Sequence, residues 1–348
     1  MTWFQALILG VVQGLCEFLP ISSSGHLVLL QKVFNINEGA LSFDIIVHLA
    51  TLIALCAVMR KRLAAYLRNP FGHIPRMVVL GTVPTAVIAL VFSKVFKDMF
   101  DSGMSLGIGF IYTAVILYLA QTHSDSFGDG GSVLGGGGVM FGRNPMAGGG
   151  GAKFNRGAAR GMKGADAIDI VATEQAVTPK GALIVGIAQG IAIIPAVSRS
   201  GSTVAGGIMS NFGKTAAVEF AFLMSIPITL LAVAQDVLEA IKNKGAAAAG
   251  AVAAGALAGT ADAAVGAAGA AGAVNAAGAA GAAQAIGFLE IAVGFAAAAV
   301  TGYFAARFML TAIKKIKLTW FSLYVGVLGI LILADQLVFG IVFDKFIR

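Results

Sequence analysis

The chain has 348 residues, of which 58% are hydrophobic and only 12% charged, with 46 glycines besides. A soluble domain carries about 25% charged residues. This composition therefore argues against a soluble enzyme, a nucleic-acid binder or a disordered linker protein, and for a polytopic helical membrane protein. The net charge of +7 gathers between apolar segments, at Arg60-Lys61-Arg62 with Arg68 and Arg76, and again at Lys314, Lys315 and Lys317. Cytoplasmic loops collect basic residues in this way.

The first apolar stretch, residues 4–34, is interrupted by Leu19-Pro20-Ile21-Ser22-Ser23-Ser24-Gly25-His26. A straight helix would have to absorb the proline at a cost of about 3 kcal/mol. A re-entrant helix–break–helix hairpin avoids that cost where protein or a wet cavity surrounds the irregular backbone. Spans are expected at 43–59, 75–93 and 104–120, the first carrying Asp44 and His48. The basic loop 60–74 is placed in the cytoplasm and the turn 94–103 outside. Residues 121–180 read as a cytoplasmic linker, with 15 glycines between 124 and 164. No GK[ST] ending accompanies those glycines, so a phosphate-binding P-loop is unsupported. A second hairpin is expected over 181–210, broken at Ile194-Pro195-Ala196-Val197-Ser198-Arg199-Ser200-Gly201-Ser202-Thr203. Spans at 217–238, 285–310 and 319–342 complete the chain, around an Ala/Gly-rich insertion at 245–283. The insertion reads as a loop or surface helix, with a small-residue transmembrane hairpin as the alternative. Cys16 and Cys56 suggest neither a metal site nor a disulfide scaffold, and no signal peptide is read at the N-terminus.

The two breaks are related. A shift of 176 positions lays Ala6-Leu7 on Ala182-Leu183, Gly10 on Gly186 and Gln13-Gly14 on Gln189-Gly190. Ser22, Ser24 and Gly25 then meet Ser198, Ser200 and Gly201 without a gap. The expected architecture is all-α, with two units (1–120 and 181–348), each a re-entrant hairpin followed by three transmembrane helices. Three crossings per unit is an odd number, so the units are inverted relative to one another, as in many transporters. The first hairpin then opens outward, and the C-terminus lies outside.

Arg199 carries the most information. An arginine deep in an apolar hairpin costs at least about 2.5 kcal/mol unless it faces protein, water or an anion. Ser198, Ser200, Ser202 and Thr203 supply hydroxyls around it, and a helix starts there with free N–H groups. Together these describe a phosphate cradle. A structural pairing with Glu17 or Glu219 is the competing explanation. The first break adds Glu17, one helical turn beyond Gln13, and the run Ser22-Ser23-Ser24-Gly25-His26. Opposed hairpins would bring Glu17, a serine and His26 near Arg199, a set able to activate a nucleophile and hold phosphoryl oxygens. Asp44 and His48 share a helical face, and either line the cavity or form a structural pair.

Gln13-x-x-x-Glu17 with Phe18-Leu19-Pro20-Ile21-Ser22-Ser23-Ser24-Gly25-His26 resembles the first motif of the bacterial undecaprenyl-diphosphate phosphatases, the bacitracin-resistance family. Pro195-Ala196-Val197-Ser198-Arg199-Ser200-Gly201-Ser202-Thr203 resembles the second. The resemblance implies a multi-pass enzyme of the bacterial plasma membrane that hydrolyses undecaprenyl diphosphate to undecaprenyl phosphate and inorganic phosphate. That reaction recycles the lipid carrier for cell-wall synthesis and counters bacitracin. The implied catalytic residues are Glu17, Ser23, His26 and Arg199, and the implied substrate-binding residues are Gln13, Ser22, Ser24, Ser198, Ser200, Ser202 and Thr203. A divalent cation, Mg²⁺ or Ca²⁺, is implied, with Glu17 as its ligand. The implied partners are the polyprenyl diphosphate, membrane lipids and a second copy of the chain in a homodimer. Ala196 stands where the family's motif has glycine. Inverted repeats also build secondary transporters, so a secondary transporter or lipid-carrier flippase is the alternative function.

Overall fold

A computed structural model describes residues 1–36, 40–102, 105–126, 173–244 and 286–343, and all regular structure among them is helical. The first half of the chain forms α1 (Trp3–Phe18), α2 (Ser23–Val33), α3 (Ala40–Arg68), α4 (His73–Val91), α5 (Ser93–Ser102) and α6 (Leu106–Ser126). The second half forms α7 (Pro179–Ile191), α8 (Arg199–Met209), α9 (Lys214–Lys244), α10 (Phe288–Ala312) and α11 (Leu318–Ala334), which runs into a π-helical turn at Asp335–Phe339. The insertion at 245–283 lies outside the described residues, as does the glycine-rich stretch 124–164 from residue 127 onward.

Six helices are long and apolar enough to cross a membrane: Phe43–Arg68, His73–Val91, Leu106–Ser126, Lys214–Gln235, Phe288–Ala312 and Leu318–Phe339. Val79, Val83, Val87 and Leu90 on α4, and Leu323, Val327, Ile330 and Leu331 on α11, stand exposed. Apolar faces of that kind are stable in lipid. The chain is a multi-pass membrane protein.

The helix ends correct the expected boundaries. Arg60-Lys61-Arg62 are not in a loop: α3 continues to Arg68, and the connection to α4 is only 69–72. Arginine, lysine, leucine and alanine favour a helix, and nothing breaks it before Asn69-Pro70. The turn expected at 94–103 is largely the helix α5.

Both breaks form where proline and serine dictate. Leu19, before Pro20, is extended with ψ 144°, because a residue preceding proline is pushed out of the α region. Ser22 caps α2 by accepting from the Gly25 N–H at 3.3 Å, and Ser198 caps α8 by accepting from the Gly201 N–H at 3.0 Å. The hydroxyl satisfies a helix-start donor that would otherwise be orphaned. Ala196 has φ 65°, the left-handed region in which the absent glycine would be at ease. Both short helices end alike. Asn35 (φ 52°) and Asn211 (φ 62°) turn left-handed, and Ile36 N–H and Phe212 N–H reach back to the Gln31 and Gly207 carbonyls at 2.8 and 2.9 Å. These are Schellman-type stops, and they too are 176 positions apart.

A few helix pairs dominate the packing. Helix α1 packs chiefly on α10, α7 packs on α4, and α6 packs on α11. Gly10 lies so close to Gly294 that a Cβ would strike its carbonyl oxygen, and Gly186 lies equally close to Gly81. Thr85 Oγ1 donates to the Gly186 carbonyl at 2.7 Å across the second contact. Small residues let helix backbones approach in lipid, where no hydrophobic effect drives association.

Away from the breaks, Glu219 on α9 is fully buried, with the Arg62 Nε 3.6 Å from its carboxylate. Thr173 and Tyr66 hydroxyls donate to the same carboxylate at 2.9 and 3.4 Å. Glu219 therefore serves Arg62, not Arg199, and Arg62 is an anchor between α3 and α9 rather than a solvated loop residue.

Two outcomes follow for thermal unfolding in detergent. Gly10→Leu and Gly186→Leu should each destabilise the protein by about 2–3 kcal/mol or prevent folding, whereas Gly213→Ala, where a Cβ meets nothing within 4 Å, should cost less than about 1 kcal/mol. Glu219→Gln removes the carboxylate charge that faces the buried Arg62 guanidinium and should cost about 3 kcal/mol; an unchanged melting temperature would contradict that pairing.

Candidate active site

Helices α2 and α8 begin at Ser23 and Arg199, which occupy equivalent positions in the two breaks. Their first turns face one small cleft, lined by Cys16, Glu17, Ser23, Ser24, His48, Ala192, Val197, Ser198, Arg199 and Ser200. Neither hairpin could build it alone. The 16-residue α1 and the 11-residue α2 reach only about 24 and 16 Å, short of a hydrocarbon core about 30 Å thick. The two breaks lie against each other at this cleft.

Glu17 is the hub. Its Oε2 accepts from Ser23 Oγ at 2.7 Å and from Gln13 Nε2 at 3.0 Å, while its Oε1 faces Arg199 Nη1 at 3.9 Å. Arg199 Nη1 donates to Thr229 Oγ1 on α9 at 2.8 Å. No other acceptor takes a guanidinium hydrogen among the described residues, so most of its five donors stay available to an anion. Ser200 Oγ donates to the Leu19 carbonyl at 2.9 Å, and this bond ties the second break directly to the first. Ser198 N–H donates to Thr113 Oγ1 of α6 at 3.0 Å, which fixes the second break from behind.

A second, more apolar recess adjoins the first. Glu17, Arg199 and Ser200 line both, and Phe18, Thr203, Ala221, Phe222 and Ser225 complete the second. The polar and apolar recesses meet at the Glu17–Arg199 edge.

Several expected residues lie elsewhere. His26 does not line either recess. It is buried on α2, with Nδ1 2.7 Å from the Ser22 carbonyl and Nε2 2.8 Å from the Tyr324 hydroxyl. The carbonyl can only accept, so Nδ1 carries the hydrogen, and the neutral ring accepts from Tyr324 through Nε2. Phe110 packs edge-on against the same ring. The ring is held instead against α6 and α11, by Phe110 and Tyr324. Ser22 is spent on its cap. Ser202, at the position equivalent to His26, is fully buried with no hydrogen-bond partner among the described residues. Gln13 Oε1 and Gln189 Oε1, another equivalent pair, are likewise buried without a partner among them.

The imidazole in the cleft is His48, with Nε2 3.8 Å from Glu17 Oε2 and Nδ1 2.7 Å from the Asp44 carbonyl. Asp44 itself accepts from Gln31 Nε2 at 2.8 Å. The shared helical face of Asp44 and His48 was a visible signal for the latter. Thr229 gave none, since threonine is common in apolar helices. The constellation offers a hydroxyl already bonded to a carboxylate, a guanidinium across from it, and serines at two helix starts. It is fitted to receive a phosphoryl group and present it to an oxygen nucleophile.

Comparison with known proteins agrees with this chemistry. The family model for "Bacitracin resistance protein BacA" matches residues 6–271. An undecaprenyl-diphosphatase of Carboxydothermus hydrogenoformans is 38% identical, covering 97% of this chain and 98% of that one. Undecaprenyl-diphosphatase 4 of Bacillus cereus is 29% identical with the same coverage, and the undecaprenyl-diphosphatase of Halothermothrix orenii is 27% identical, covering 95% of this chain and 96% of its own. The chain belongs to the bacitracin resistance protein BacA family.

Proposed function

We propose that this chain is an undecaprenyl-diphosphatase: it hydrolyses undecaprenyl diphosphate to undecaprenyl phosphate and inorganic phosphate in the bacterial plasma membrane. The observation that carries this reading is the Ser23–Glu17–Arg199 arrangement at the meeting of two helix starts, in a chain whose relatives bear that activity's name. The reaction returns the lipid carrier to cell-wall synthesis and removes the target of bacitracin.

In the proposed mechanism the terminal phosphate enters the polar recess and its oxygens lie against Arg199 and the α8 start. Ser23 Oγ attacks the terminal phosphorus while its proton passes to Glu17 Oε2, 2.7 Å away. The bond from that phosphorus to the bridging oxygen breaks, and undecaprenyl phosphate departs with the electron pair. Water then attacks the phosphoserine, Glu17 returns its proton to Ser23 Oγ, and dihydrogen phosphate leaves. Arg199 stabilises charge in both steps. Ser23 is preferred to His26 as nucleophile because both His26 nitrogens are engaged outside the cleft. Gln13 holds the Glu17 carboxylate toward Ser23.

A divalent cation fits this cleft only together with substrate. Among the described residues no group of three or more His, Cys, Asp and Glu gathers to hold one, and Glu17 is the carboxylate of the lining. Mg²⁺ is commonly bound by one or two carboxylates plus substrate phosphates, so Glu17 and the diphosphate oxygens would hold it between them. Bound there, it would neutralise phosphate charge.

The inverted repeat belongs to the same reading. Its supports are the exchanged packing of α1 on α10 and α7 on α4, and the equivalence of Ser23 with Arg199, Asn35 with Asn211 and Gly10 with Gly186. With α3 ending in the cytoplasm, the cleft opens to the periplasmic or extracellular side. A reporter fused after Asn69 should read cytoplasmic and one after Phe343 external; the opposite pair would reverse the orientation.

Purified protein should release phosphate from a polyprenyl diphosphate, and Arg199→Ala should lower turnover by at least about 10³-fold with an unchanged melting temperature. Ser23→Ala should do the same. Near-normal release by either variant would dismiss the site, and lipid flux without phosphate release would favour a carrier.

A further inference from the structure

Resting on the phosphatase reading, we infer that Thr229 is a positioning residue that keeps Arg199 and Glu17 from neutralising each other. An arginine facing a carboxylate in a sheltered cleft ordinarily closes to about 2.7–2.9 Å, often through both nitrogens. Here the approach is 3.9 Å, from a single nitrogen. The reason lies on both partners. Arg199 Nη1 already donates to Thr229 Oγ1 at 2.8 Å, and Thr229 is buried on α9, where its hydroxyl has little room to move. Glu17 Oε2 is turned the other way by Ser23 and Gln13.

The hydroxyl differs from those of several other helical threonines among the described residues. Thr82, Thr113 and Thr301 spend theirs on the carbonyl four residues earlier in their own helix, the ordinary way to satisfy a threonine in a helix. Thr229 makes no such bond among the described residues and serves instead as an acceptor for the guanidinium. A neutral acceptor holds the cation in place without cancelling its charge. Two functions depend on that. Glu17 remains free to accept the Ser23 proton, and the remaining Arg199 donors remain directed at the cleft, where a phosphate would lie. Removal of the hydroxyl would let the guanidinium swing onto Glu17 and close an ion pair across the anion site.

Thr229→Val removes the acceptor at nearly constant volume, and Thr229→Ser retains it. The measurement is turnover of a polyprenyl diphosphate by the full-length protein in detergent, together with binding of inorganic pyrophosphate as the anion probe. Thr229→Val should lose about tenfold in kcat and about tenfold in pyrophosphate affinity, each equivalent to about 1.4 kcal/mol, while Thr229→Ser restores both to within about threefold. The deciding arm is a double-mutant cycle. In a Glu17→Gln background the carboxylate is gone, so Thr229→Val should no longer weaken pyrophosphate binding. A merely structural Thr229 would weaken it equally in both backgrounds, and that result would overturn the inference, as would wild-type affinity in the single Thr229→Val variant. Wild-type protein that binds pyrophosphate but releases no phosphate would overturn the phosphatase reading instead, with the binding cycle still deciding the role of Thr229.

Discussion

Two opposite charges placed where an apolar chain breaks set the terms for the rest of this structure. Glu17 ends one half-helix and Arg199 begins another, and neither could be tolerated in lipid alone. They are stable only because each faces the other's break, with serine hydroxyls and helix-start N–H groups filling the space between. The close helix contacts at Gly10–Gly294 and Gly186–Gly81 follow from that requirement. They seat α1 against α10 and α7 against α4, with the two breaks meeting at one cleft. The fold is thus a means of holding irregular backbone, and the polar groups it frees, away from lipid.

The duplicated hairpin explains how one site acquires unlike halves. A shift of 176 positions lays Ser23 on Arg199, His26 on Ser202 and Glu17 on Ile193. Each half supplies a capped helix start. The first break then adds a carboxylate and a hydroxyl bonded to it, and the second a cation. A symmetric pair of breaks would give two serines or two arginines in the cleft, and neither pair could both activate a nucleophile and hold the charge it creates.

Much of this was legible in the sequence, and for physical reasons. Pro20 and Pro195 each precede serines able to cap a new helix, unlike Pro84 and Pro227, which lie inside helices; a lone arginine beside four hydroxyls in an apolar stretch must meet something polar, and polar matches at one fixed shift stand out against a lipid-like background. What remained hidden depended on partners distant in the chain. Arg62 reads as a loop cation until Glu219, on another helix, is seen beside it. His26 reads as a cleft residue until Tyr324 claims its Nε2. The run Arg60-Lys61-Arg62 reads as the end of a span, although nothing in it stops a helix. His48 and Thr229 enter the site from long unbroken helices, that of Thr229 continuing through Pro227.

The most direct test is to determine the structure with a methylene-bridged, non-hydrolysable analogue of a polyprenyl diphosphate. The terminal phosphonate should lie between Arg199 and Ser23 Oγ, with the Ser23 hydroxyl still bonded to Glu17. An analogue seated away from that cleft, with Arg199 and Glu17 untouched, would contradict the account.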